Sequence, residues 1–446
     1  MAKLEWHNVF SEKERDRRWK LVRDYMQSKG LDCILAMGGG IWHVDNGRFI
    51  QAQSLDRYLS GWVSGATIVF PLKGEPVLLG APFQTVIQWT PETPKEELPW
   101  IEDVRVSASA EAIATAIKEK GLGQSRVAVG GGGYVGGAGG PDMLTSTVWN
   151  MGAVWSGIVK RIPDCKFENL GNDFFMLASV KGEEEMAMVR RAAAALEEAM
   201  IAVVKAVRVG ASELDVYKAI INTTWENGAV PSAPYITSGP ATTRQAELWQ
   251  QGLSSPRILE AGDVVNCGTC IFGYVGGVEA QTQLTVAIPP VSKENAECAR
   301  VSRESYEAGL RALQPGRPFS EVAEAMAAPI ERAGDSGIFG GSGPNIHGMN
   351  LSARMTASAS QTSMRLRNEF YKEYHEKYHA HTEGGSRARP GQAEESILAP
   401  GMVFEFEPRC CHGRHLVNIG GTVIVTETGN EELNYMGTRM RMAGEV

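Results

Sequence analysis

Along the first 180 residues apolar positions recur in short blocks whose spacing alternates between two periods. In residues 11–29, Trp19, Leu21, Val22, Tyr25 and Met26 fall at helical intervals among charges. This predicts an amphipathic helix that Lys29-Gly30 closes. Residues 31–37, 66–70, 76–79 and 126–129 are apolar runs of strand length bounded by turn residues, with Lys73-Gly74 between the second and third. Residues 110–120 are Ala-rich and preceded by Ser109, which is placed to cap a helix. Strands alternating with helices predict an α/β domain. From Lys181 the pattern becomes strongly helical, with Glu183, Glu184 and Glu185 at the start, where the helix dipole favours carboxylates. A domain boundary is placed there, giving an N-terminal domain over 1–180 and a C-terminal domain over 181–446. Further helices are expected over 214–227 and 294–313.

Residues 262–286 predict one β-hairpin. Val264 and Val265 open it, Gly273-Tyr274 lies near its bend, and 278–286 returns with alternating faces, so that Glu279 and Gln281 share one side.

At 446 residues the chain is long enough for two cores. A formal charge of -8, with acidic and basic residues interspersed, offers no basic face to nucleic acid, so a small-molecule partner is expected. Seven cysteines without repeated spacing do not form a disulfide framework. The N-terminus lacks an apolar signal segment and no apolar run reaches about 18 residues, so the reading is cytoplasmic, with no membrane partner. The glycine-rich run 130–140 is followed by Pro141-Asp142 rather than by the Lys-Ser/Thr of a phosphate loop, and reads as a surface loop. Residues 361–395 read as a polar insertion; His375 and His379 stand one helical turn apart within it, a spacing that can bind zinc, but Cys410 and Cys411 are adjacent and lack C-x-x-C geometry.

Four stretches resemble the creatinase/aminopeptidase P/methionine aminopeptidase family, whose fold is called pita-bread. They are Gly262-Asp263 to Val286, Gly343-Pro-Asn-Ile-His347-Gly348, Pro400-Gly-Met-Val-Phe-Glu-Phe-Glu407-Pro408 and Asn418-Ile-Gly-Gly-Thr-Val-Ile-Val-Thr-Glu-Thr-Gly429. The Lys181…Glu185 helix start and Gly210-Ala-Ser-Glu213 fit the same pattern. The resemblance implies an α+β chain of two domains, an N-terminal creatinase-like α/β domain and a C-terminal pita-bread catalytic domain, and a homodimer whose N-terminal domain reaches the partner's site.

Residue by residue, the resemblance puts the family's five metal ligands on Gly268, Glu279, His347, Glu407 and Gly420. Two are glycine, which cannot chelate, and paired metals need bridging carboxylates to hold them. A metal-free site in which Glu279 and Glu407 hold an organic cation is therefore favoured, as in creatinase, which Asn266-Cys267, Ile271-Phe-Gly-Tyr274 and Glu279 resemble most. The alternative is one divalent metal held by Glu279, His347 and Glu407. The family's histidine before the hairpin is missing: 236–247 contains Thr243, Arg244 and Gln245 instead. Proton transfer then falls to His347, to one of the glutamates or to a group from elsewhere in the chain.

The expected catalytic residues are His347, Glu279 and Glu407; the expected substrate contacts are Arg244, Gln245, Tyr274, Gln281, Glu405 and Trp62. The expected activity is hydrolysis of a C–N bond in a small cationic guanidino, amidino or amino acid, with no cofactor. The alternatives are a β-elimination lyase acting on an onium acid, an Xaa-Pro-type peptidase with one metal, and a non-catalytic binding module.

Overall fold

The computed structural model describes residues 10–37, 44–45, 48–49, 54–63, 65–80, 93, 98–130, 148–231, 234, 236–241, 257–267, 271–334, 342–353, 355–357, 369, 372, 377 and 396–446, with side chains omitted at 44–45, 48–49, 148–152 and 271–274. The glycine-rich run beyond Gly130, the loop carrying Arg244 and Gln245, Gly268, and almost all of 361–395 lie outside them.

The first helix, α1 (Glu12–Lys29), begins where Ser11 Oγ accepts the Glu14 amide, and ends at Gly30, whose φ of 65° suits glycine. It packs on a six-stranded sheet of β1 (Cys33–Ala36), β2 (Thr67–Pro71), β3 (Val77–Leu79), β4 (Asp103–Arg105), β5 (Arg126–Gly130) and β6 (Lys166–Asn169), in the order β4-β3-β2-β1-β5-β6. Both faces are covered, which explains why its strands read as continuous apolar runs. Ile34, Ile68, Phe70 and Leu78 pack with Trp19, Val22, Met26 and Phe174 on one side. Leu35, Val69, Val77 and Val129 pack with Ile113, Ile117 and Ile158 on the other.

Helix α2 (Leu55–Ser60) follows the early loop region. Helices α3 (Ala110–Glu119, capped by Ser109), α4 (Val148–Arg161) and α5 (Asn172–Ser179) complete the N-terminal domain. The C-terminal domain opens with α6 (Glu183–Ala206), which packs against the central hairpin, and α7 (Glu213–Glu226), which packs against α6. Its later helices are α8 (Lys293–Ala312) and α9 (Phe319–Ala333).

The strands β7 (Val230–Pro231), β8 (Thr237–Gly239), β9 (Val264–Asn266), β10 (Ile271–Val275), β11 (Val278–Gln283), β12 (Thr285–Ala287), β13 (Ile346–Gly348), β14 (Thr356–Ala357), β15 (Val403–Phe406), β16 (Arg409–His412), β17 (His415–Asn418), β18 (Gly420–Thr426), β19 (Gly429–Glu432) and β20 (Arg441–Met442) follow in the C-terminal domain. The main sheet runs β14-β13-β15-β18-β11-β10-β7, with β19 also on β18, and a second sheet runs β8-β9-β12-β20.

The predicted hairpin exists but is split between these sheets. β9 pairs with β12, Val264 opposite Ala287, and β10 pairs with β11, Ile271 opposite Thr282. Its bend is at Gly276-Gly277, not Gly273-Tyr274, which lies inside β10. The reason is conformational: Gly276 and Gly277 have φ of 59° and 78°, the two positive values that a two-residue hairpin turn requires.

On β11, Val278 and Ala280 face the α6 core with Val189 and Leu196, while Glu279, Gln281 and Gln283 face the other way. No disulfide joins the six described cysteines, all of them buried. No helix among the described residues is long and apolar enough to cross a membrane.

Candidate functional site

Strand register builds the site. Opposite residues of an antiparallel pair share a face, and His347 stands opposite Glu405, which stands opposite Thr422. Gln281 extends this row onto β11: its amide donates to Thr422 Oγ1 at 3.0 Å and its carbonyl accepts from the same hydroxyl at 2.8 Å. The next row holds Asn345 and Glu407, joined by Glu407 N to Asn345 O at 2.9 Å, followed by Gly420 opposite Gln283. Four strands thus aim imidazole, carboxylates and amides at one face of the sheet. Side chains alternate between the two faces along β15. Phe404 stacks on Phe319 and Phe406 packs edge-on to Tyr306 on the opposite side, leaving Glu405 and Glu407 on the site face.

Glu407 is held at both oxygens. Asn345 Nδ2 donates to Oε2, and His347 Nε2 lies 3.3 Å from Oε1. The other ring nitrogen, Nδ1, is 3.1 Å from the Gly348 carbonyl. Both nitrogens therefore face acceptors, an arrangement that a doubly protonated ring satisfies. Burial alone would lower the His347 pKa, but the hydrogen bond and charge of Glu407, with help from the Gly348 carbonyl and Glu279, outweigh it and raise the pKa above its ordinary value.

Glu279 is fully buried, and Gln281 Nε2 donates to its Oε1 at 3.2 Å. Its backbone is gripped from outside the sheet. Glu279 N donates to Asn350 Oδ1 at 2.8 Å and Asn350 Nδ2 returns a bond to the Glu279 carbonyl at 3.2 Å.

Glu405, also fully buried, has Oε2 3.4 Å from Thr422 Oγ1, while Oε1 has no hydrogen-bond partner among the described residues. The Thr422 hydroxyl owns one proton, and the shorter bond to the Gln281 carbonyl takes it. Burial, then the charges of Glu407 and Glu279, drive the Glu405 pKa well above the carboxylate range. A neutral Glu405 donates to Thr422 Oγ1.

Of the remaining expected contacts, Tyr274 stands opposite Glu279 in register. Trp62 packs against the N-terminal core, and its carbonyl accepts from Arg57 Nε at 3.1 Å. Arg244 and Gln245 are outside the described residues. The sequence alone does not single out Asn345, Asn350 and Thr422. The available signal was an asparagine two residues before and three after His347, because asparagine tolerates the left-handed backbone that both adopt, with φ of 42° and 58°.

A dinuclear metal centre does not fit these residues. Gly420 has φ 157°, and a Cβ there would lie 1.7 Å from the Phe406 carbonyl oxygen, so the backbone has no room for a bridging carboxylate. Among the described residues, no three His, Cys, Asp or Glu side chains converge as a metal-holding group.

Comparison with known proteins gives the family and the fold. Residues 187–427 match metallopeptidase family M24. The methionine aminopeptidase of Clostridium acetobutylicum is 24% identical over 266 residues, 58% of this chain and 93% of that protein. The fold resembles the X-Pro aminopeptidase of Thermotoga maritima MSB8, with TM-score 0.68 and 18% identity over 95% of this chain and 99% of that one. It also resembles dipeptidase PepE of Mycobacterium ulcerans, with TM-score 0.67 and 19% identity over 97% and 99%. With the family match covering more than half its length and strands β11, β13, β15 and β18 carrying the motifs, the chain belongs to metallopeptidase family M24, hydrolases that act on C–N bonds.

Proposed function

We propose that this M24 protein hydrolyses a C–N bond in a small cationic acid, with a guanidino, amidino or amino group, without a metal pair. The observation that carries this reading is Gly420, whose backbone excludes the carboxylate that a bridged centre needs. Without metals, Glu279 and Glu407 form a receptor for an organic cation, because planar N–H groups pair with two carboxylates at once. Glu405, kept neutral, limits the negative charge of the receptor, so a monocation is the best match. His347 is charged against Glu407 at rest. It delivers its proton to the departing nitrogen as water oxygen bonds to carbon, and the proton of that water returns to it through Glu407.

The substrate class is tested with purified protein, its metal content measured by elemental analysis, offered guanidino acids, amidino acids, amino acids and Xaa-Pro dipeptides with product mass as the readout. Two products whose masses together exceed that of a guanidino, amidino or amino acid by one water, formed at less than one metal per chain, are expected. Two metals per chain, with turnover confined to Xaa-Pro dipeptides, would reject the proposal.

A further inference from the structure

Lys181 is a buried lysine that the chemistry above does not use. It lies at the junction of α5 and α6, and its Nζ donates to two backbone carbonyls, Leu351 at 2.6 Å and Ala178 at 2.9 Å. Its own amide donates to the Gly401 carbonyl at 3.0 Å, and Ser179 Oγ accepts the Ala353 amide at 2.9 Å. Residues 179–181 therefore hold the chain on both sides of residue 352. That loop begins with Asn350, whose left-handed φ of 58° turns its amide onto both backbone polar groups of Glu279. The same junction is tied to the N-terminal domain. Glu185 accepts the Gly182 amide at 3.1 Å and pairs with Arg17 at 2.7 Å and Arg18 at 3.3 Å from α1, and the Arg18 guanidinium lies 4.0 Å from the Phe10 ring centroid and 4.5 Å from that of Tyr58.

We propose that Lys181 is a positioning residue: by fixing the Leu351 carbonyl it holds the Asn350 amide on the backbone of Glu279, and so couples the seating of the N-terminal domain to the cation receptor. A lysine suits the task because one ammonium supplies several donors to carbonyls that would otherwise lose theirs in the interior. The charges facing it are Glu185 of α6, Arg17 and Arg18 of α1, and Glu279 of β11. Burial lowers the Lys181 pKa to about 8, Glu185 opposes this, Arg18 and Arg17 add to it, and Glu279 opposes it.

Residue-resolved hydrogen exchange on the full chain tests the clamp, comparing Lys181→Met and Asn350→Gly with wild type. Both variants are expected to speed exchange of the Glu279 amide at least about tenfold. The Gln281 amide, held by Thr422 instead, should be unchanged and serves as the internal reference. Should Lys181→Met not fold, Lys181→Gln is read against the same outcomes. An unaltered Glu279 amide with loosened amides in α1 and α6 would overturn the proposal, leaving Lys181 a domain-interface residue only.

That Glu279 serves the reaction rests on the function proposed above, but the exchange experiment does not. A faster Glu279 amide together with unchanged kcat/KM would keep the clamp and reject that role for Glu279. The full proposal expects kcat/KM for the cationic acid to fall in Lys181→Met.

Discussion

Glu279, Glu407 and His347 illustrate how much of a site a sequence can disclose at the residue scale. Each belongs to a stretch whose neighbours, Gly348 and Pro408 among them, constrain the backbone, and the structure brings the stretches onto one sheet face. What holds these groups was not legible, because hydrogen bonds between residues some 60 to 140 apart leave no local pattern. The Asn345 bond to Glu407 and the Thr422 bonds to Gln281 are of this kind. Replacing either carboxylate by its amide, Glu279→Gln or Glu407→Gln, is expected to cost roughly 2–5 kcal/mol of substrate or transition-state binding. Steady-state kinetics with a guanidino acid would measure it, and near-wild-type kcat/KM would remove that residue from the receptor.

His347 makes a separate prediction. Its folded pKa is raised, so the stability it lends is fully present below its unfolded value near 6.5 and is lost as pH climbs through the folded value. The unfolding free energy of wild type relative to His347→Ala should therefore decline on the alkaline side of 6.5. The descending limb of the rate profile should lie there too and vanish in His347→Ala, with roughly a 10²- to 10⁴-fold loss in rate.

Among the elements, the central hairpin is the most instructive. Its existence was readable from alternating residues and flanking glycines, and Gly273-Tyr274 marked the neighbourhood of the bend, but Gly276-Gly277, the turn-forming pair, is the bend itself. Three-dimensional context decides between them: Val275 pairs with Val278, and the two glycines between take positive φ. Gly277 also lies under Arg57 of α2, whose Nη1 would be 2.1 Å from an added Cβ. Gly277→Val is expected to destabilise by roughly 2–3 kcal/mol, from the left-handed backbone of a β-branched residue and the displaced guanidinium. Denaturant titration would read this as a lower midpoint at constant slope. A midpoint equal to wild type would argue against this turn. Gly420→Glu, by the same reasoning, should lower Tm without raising metal content.

For the whole molecule, the two-domain α+β architecture was legible because strands alternating with helices give way to paired helices followed by a run of strands. The contacts that join the domains were not. Arg17, Arg18 and Glu185 look like ordinary surface charges of two amphipathic helices, but packing buries Arg18 and Glu185 and covers Arg17 in part.

Lys181 makes this interface pH-sensitive. Its pKa falls from 10.5 to about 8, so the unfolded chain binds the extra proton between those values and stability rises with pH across that window. The native state bears the full cost of the charge below about pH 8. The stability difference between wild type and Lys181→Met should shift in favour of wild type by about 3 kcal/mol from pH 8 to 10.5. Denaturation at a series of pH values checks it, and a flat difference would contradict the burial of a charged amine.

The account stands on a C–N hydrolase that needs no metal pair, and one measurement tests this most directly. Purified protein is dialysed against a strong chelator and its turnover of guanidino acids, betaines, sulfonium acids and Xaa-Pro dipeptides is followed by product mass. The account predicts undiminished turnover of a cationic nitrogen acid, with products that together gain one water. Activity lost on chelation and restored by divalent metal, or a product with a new double bond and no added water, would contradict it.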